Sequence, residues 1–73
     1  MNQKQVYTSE LRPGDIVVDS IRHKVRSPDW FIIGVFPDIS ATIPLYHIVY
    51  NVFGTTKVIK TSAFATTKWN VSA

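Results

Sequence analysis

The sequence predicts an all-β fold: one small barrel of five strands, with a single 3₁₀ turn just before the last strand. Three observations carry that prediction. The apolar set is rich in Val, Ile, Phe, Tyr and Trp, which fit a pleated, half-buried surface better than a helix. No stretch holds a 3.6-residue apolar period, so no long amphipathic helix is expected. Turn signals at Pro13-Gly14, Ser27-Pro28-Asp29, Pro37-Asp38 and Gly54 divide the chain into short extended runs.

Each element has its own justification. Residues 1–9 read as a polar lead-in with a short edge strand around 5–8, and the barrel is expected over 10–72. In Leu11-Arg12-Pro13-Gly14-Asp15-Ile16-Val17-Val18-Asp19, Pro13 presets φ and Gly14 supplies the positive φ of a type II turn. Ile16, Val17 and Val18 then open a first strand over 15–21. Residues 22–29 are mostly charged or turn-forming and read as an exposed loop or splayed hairpin tip.

The run 30–36, Trp-Phe-Ile-Ile-Gly-Val-Phe, is a second strand, apolar enough for both faces to be at least partly covered. Gly34 inside it signals a bulge or bend. The third strand, 45–53, places Tyr46, Ile48, Tyr50 and Val52 on one face and Leu45, His47, Val49, Asn51 and Phe53 on the other. Gly54 marks a short hairpin with a bulged turn, leading to a fourth strand over 55–61. Ser62-Ala63-Phe64-Ala65 is expected to form the 3₁₀ turn, and 67–71 the last strand, with Trp69 and Val71 on one side.

Seventy-three residues make one domain. A chain of this length buries about 60% of the surface its unfolded form exposes, so its stability margin is thin. With no cysteine, no disulfide staples the fold and no thiolate zinc site is available. The polar N-terminus lacks a signal-peptide core, and no segment nears the ~18 apolar residues of a membrane span. A soluble, cytoplasmic protein with no membrane association is therefore expected.

Charge is unevenly placed. All five acids (Glu10, Asp15, Asp19, Asp29 and Asp38) precede residue 39, whereas residues 39–73 carry Lys57, Lys60 and Lys68 and no acid. Arg22, Lys24 and Arg26 cluster around His23. Such a distribution attracts polyanions or an acidic protein surface, and it also simply keeps a small domain in solution.

The order of these elements, with the Leu11-Arg12-Pro13-Gly14-Asp15-Ile16-Val17 opening, resembles the SH3-like barrel over residues 11–72. A Pro-Gly-Asp corner followed by an apolar pair is similar to the opening of many small barrels, including nucleic-acid-binding and chromatin- or ribosome-associated ones. The resemblance implies a barrel that binds through its loops. It departs from peptide-binding SH3 domains, which carry an Ala-Leu-Tyr-Asp-Tyr-like first strand, an acidic loop and a Trp-Trp pair. Here the loop is basic and Trp30 precedes Phe31. Proline-rich ligands are not expected, and no family residue is carried over.

Catalysis finds no support in the motifs. There is no nucleophile elbow, no Gly-rich phosphate loop and no close pair of carboxylates, and the two histidines, His23 and His47, lie far apart. No enzyme activity, metal or cofactor is expected. Two binding classes remain. For nucleic acid, Arg22, Lys24 and Arg26 would anchor phosphates, Trp30 would stack on bases, and Lys57 and Lys60 would add charge. Lys57 and Lys60 are three apart, so on a regular strand they point to opposite faces.

For a protein partner, if the small core cannot bury all of Tyr46, Tyr50, Phe53, Phe64 and Trp69, those left outside would form an interface. Core packing is the plainer role for Tyr46, Tyr50, Trp30 and Trp69. The expected function is a non-catalytic binding module that contacts nucleic acid through the basic loop. The alternative is an accessory subunit, inhibitor or modulator of a larger enzyme or complex, with homodimers open to it through edge-strand pairing.

Overall fold

The computed structural model describes residues 3–18, 21–22, 25–26 and 28–72, with the backbone alone at 21, 22, 25 and 26. Its strands are β1 (Gln3–Tyr7), β2 (Ile16–Val17), β3 (Ile21–Arg22), β4 (Val25–Arg26), β5 (Trp30–Pro37), β6 (Leu45–Val52), β7 (Val58–Phe64) and β8 (Lys68–Ser72). Six of them form one antiparallel sheet in the order β1-β8-β2-β5-β6-β7, and β3 and β4 pair separately. The all-β expectation holds. None of the described helices is long and apolar enough to cross a membrane.

The expected closed five-stranded barrel is corrected to an open six-stranded sheet. The short edge strand expected around 5–8 forms over Gln3–Tyr7 as β1 and pairs with β8 along its whole length, from Gln3↔Ser72 to Tyr7↔Lys68. The two edges, β1 and β7, do not pair with each other. The sheet nevertheless curves around its contents, because both ends contribute to one core. Val6 and Trp69 from one end, and Ile59 and Ala63 from the other, pack against Leu11, Val17, Trp30, Ile32, Ile48, Tyr50 and Val71.

The Pro-Gly corner forms as its residues dictate. Asp15 N–H donates to the Arg12 carbonyl (3.1 Å), and Gly14 sits at φ 95°, the left-handed value that a type II turn requires at its third residue. Gly14 N–H donates to the Ile32 carbonyl and Ile32 N–H to that of Asp15, both at 2.9 Å, which docks the turn on β5. β2 is far shorter than the strand expected over 15–21, but it sits between β5 and β8, where Val17 pairs with both Trp30 and Val71.

The 3₁₀ turn is also corrected. It spans Thr8–Glu10, before β2. Residues 62–64 instead continue β7, with Ser62, Ala63 and Phe64 opposite His47, Tyr46 and Leu45. A ladder to a neighbouring strand outweighs the weak local preference for a turn. The Thr8 turn is held from a distance. Thr8 is fully buried, its N–H donates to the Thr67 carbonyl (2.9 Å), and its hydroxyl accepts from Trp69 Nε1 (2.8 Å).

Two strand boundaries follow from turn chemistry. Gly54, at φ 82°, turns the β6–β7 hairpin as expected. The turn consumes more chain than foreseen, so β7 begins at Val58 rather than Thr55. Asn51 Nδ2 donates to the carbonyls of Thr55 (3.1 Å) and Lys57 (2.8 Å), and Thr55 N–H donates to Val52 (3.1 Å), which hold residues 53–57 in the turn.

The signalled bulge in β5 forms at Ile33. Ile32 pairs with Tyr50 and Gly34 with Val49, leaving Ile33 as the extra residue. It sets which side chains face out. Trp30, Ile32 and Val35 share the inner face with Tyr50 and Ile48, while Phe31 and Phe36 lie opposite Asn51 and His47 on the outer face.

A candidate interaction surface

The inner face of β5–β7 is filled, and the outer face carries large apolar side chains among polar ones. Of the two faces of residues 30–36, expected to be at least partly covered, the inner is buried and the outer is only partly so. Phe31, Ile33, Phe36, Phe53, Val58 and Phe64 are all exposed. Register puts them on one face, with Asn51 and His47 among them: Phe31 opposite Asn51, Asn51 opposite Val58, Phe36 opposite His47, and Leu45 opposite Phe64. Phe31 and Phe53 meet edge to face, 6.4 Å between centroids at 82°. Phe36 lies down over Gly34, so that a Cβ there would come 2.8 Å from its Cζ. Only glycine lets the ring approach so closely.

The loop after β5 is pinned to this face. Ser40 donates to Asp38 Oδ1 from its N–H (3.0 Å) and its hydroxyl (2.7 Å), and His47 Nε2 lies 2.9 Å from Asp38 Oδ2. The Ser40 hydroxyl, then the His47 ring and the Ser40 N–H, hold the Asp38 carboxyl down at about 2. An ionised carboxylate only accepts, so His47 Nε2 carries the proton in this bond. The pinned loop presents Ile39, 96% exposed, and Ile43 four residues further on. Aspartate, serine and histidine are together here, but the hydroxyl donates to the carboxylate and not to the imidazole, which is not the wiring of a nucleophilic triad.

Elsewhere, carboxylates near surface hollows serve as backbone caps. Glu10 lines two hollows of about 230 and 500 Å³ beside β1, and it accepts from Tyr7 N–H (2.9 Å). Asp15, in the larger hollow, accepts from Arg12 N–H (3.0 Å). Among the described residues, no three His, Cys, Asp or Glu side chains converge as a metal site.

The residues singled out from the sequence whose side chains are described separate into three groups. Trp30 (5% exposed) and Tyr50 (1%) are core, stacked at 3.9 Å between centroids and 10° between planes, which corrects their candidacy as a base-stacking ring and an interface ring. Trp69 is partly buried 5.6 Å from Trp30, and Tyr46 is likewise partly buried on the inner face. Lys57, Lys60, Phe53 and Phe64 are exposed, with Lys60 on the outer face opposite Val49 and Lys57 in the hairpin turn. Lys24 lies outside the described residues, as do the side chains of Arg22 and Arg26.

Phe31, Ile33, Phe36 and Val58 were not foreseen as surface. The available signal was His47 and Asn51, the polar residues that mark the wet face of the third strand and therefore of its neighbours. Comparison with protein-family models, with curated proteins and with solved structures found no match for this chain.

Proposed function

We propose that this chain is a non-catalytic module that docks on another protein through the outer face of β5–β7. One observation carries the reading: four phenylalanines, at positions 31, 36, 53 and 64, stand exposed on one sheet face with aliphatic neighbours. Exposed apolar side chains gathered on one face of a small domain favour association, because covering them removes apolar area from water at about 25 cal/mol per Å². Asp38 is the only acid in the segment from β5 to the C-terminus, and Lys57 and Lys60 edge the patch. A partner with an apolar centre and an acidic rim fits it. Ile39, held out on a pinned loop, adds an anchor ordered before binding.

Trp30, the ring that would stack on bases in the nucleic-acid reading, is buried in the core. A photo-crosslinking residue placed at Phe53, with Gln5 on the opposite edge as control, separates the two. The docking reading predicts protein adducts at 53 and few at 5, with capture that persists as salt rises. Adducts to nucleic acid alone, lost steeply with salt, would overturn it.

A further inference from the structure

We infer that a second copy of this chain pairs with the β7 edge, strand to strand and antiparallel, about a twofold axis through Thr61. This does not depend on what docks on the outer face. The sheet ends at β7, whose far side meets no other described strand. Ala65 N–H donates to the Pro44 carbonyl (2.9 Å), which sets the alternation of the β6–β7 ladder. Residues 59, 61 and 63 therefore bond inward to β6. Residues 58, 60, 62 and 64 direct their N–H and C=O groups to the free edge.

The strand Val-Ile-Lys-Thr-Ser-Ala-Phe is centred on Thr61, with apolar pairs at its ends and polar residues at its middle. Pairing it with its own copy about Thr61 brings edge-directed residues opposite edge-directed residues. Val58 then faces Phe64 of the copy, and Lys60 faces Ser62. Val58 and Phe64, 60% and 55% exposed in the single chain, cover each other twice. On the inner face Ile59 meets Ala63. Shifting the axis to residue 60 sets lysine directly on lysine, and shifting it to 62 leaves Val58 without an opposite residue in the strand. The sequence thus selects one register. The other edge is a poorer partner: β1 begins Gln-Lys-Gln, and a β1-to-β7 contact would propagate instead of closing.

In this register Thr61 faces its own copy at a non-hydrogen-bonded site, where Cα atoms stand about 4.5 Å apart and side chains are closest. That suits a disulfide. The chain has no cysteine, so single cysteines at 60, 61 and 62 read the register directly. Thr61→Cys is expected to form a covalent dimer under mild oxidation, faster than Lys60→Cys or Ser62→Cys. Sedimentation equilibrium on the cysteine-free chain is expected to show a reversible dimer. Ser62→Glu sets two acids opposite the two Lys60 side chains and should tighten the dimer roughly two- to thirtyfold. Ser62→Lys should loosen it by a similar factor. Ser62 is exposed, so neither change disturbs the single chain, which circular dichroism checks. A monomer at every concentration up to the millimolar range overturns the inference. Preferential cross-linking through 60 or 62 does so too, as do equal dimer affinities for Ser62→Glu and Ser62→Lys.

Discussion

Trp30 and Tyr50, from neighbouring strands, lie face to face with 3.9 Å between ring centroids. Their stack is the middle of the core and has Val17, Ile32, Ile48 and Val71 around it. It divides the aromatic residues into those that hold the sheet and those that stand outside it.

That division predicts opposite mutational behaviour. Trp30→Ala or Tyr50→Ala should cost about 3–5 kcal/mol, a large share of the stability of so small a domain. Phe53→Ala forfeits an edge contact with Phe31, worth about 0.5–1.5 kcal/mol beyond the area it covers. Urea unfolding of the three variants gives the comparison. Similar losses at Tyr50 and Phe53 would contradict the assignment of inner and outer faces.

The three glycines should answer differently to alanine. Gly14 (φ 95°) and Gly54 (φ 82°) have open space around them but left-handed backbones, so each Ala variant should lose about 1–2 kcal/mol. At Gly34 the obstacle is the Phe36 ring, the far end of a flexible side chain that is 56% exposed. Gly34→Ala should therefore displace that ring with a stability change below about 1 kcal/mol. Thermal unfolding and the Phe36 ring signals in NMR spectra check both statements.

Thr8→Val keeps the shape of a buried residue and deletes its hydroxyl. Trp69 Nε1, which donates to that hydroxyl at 2.8 Å, loses its acceptor. A loss of about 1–3 kcal/mol is expected, the cost of leaving a partly buried donor unpaired. Equilibrium unfolding measures it, and the indole N–H signal should move at the same time.

Asp38 should titrate near 2 instead of its ordinary 3.8. A folded value below the unfolded one means that ionised Asp38 contributes stability above pH 3.8, and that this is lost as pH falls toward 2. A carboxyl-carbon NMR titration reads it. Ser40→Ala removes the largest cause and should move the midpoint upward; an unmoved midpoint would contradict the hydrogen bond's role.

Much of this was legible in the sequence, for local reasons. Pro13-Gly14 and Gly54 restrict their own backbones, so their turns could be read without knowing what lies nearby. The alternation of Tyr46, Ile48 and Tyr50 against His47 and Asn51 already gave the two faces of β6. What was not legible depends on distant partners. The 3₁₀ turn at Thr8 exists because Thr67 and Trp69 reach it, and residues 62–64 extend because residues 45–47 pair with them. The continuous apolar run of β5 hides which side is filled until the bulge at Ile33 is placed. Phe53 and Phe64 could be named as surface rings, but their companions Phe31 and Phe36 could not. Lys57 and Lys60 were legible as exposed charges, though not as the border of an apolar patch.

Solvent contact of the rings tests the two-faced sheet most directly. With a soluble nitroxide added to the free protein, the ring protons of Phe36, Phe53 and Phe64 should broaden strongly, while those of Trp30 and Tyr50 stay sharp. Equal broadening of the two sets, or protection of the phenylalanines in the dilute single chain, would contradict the account.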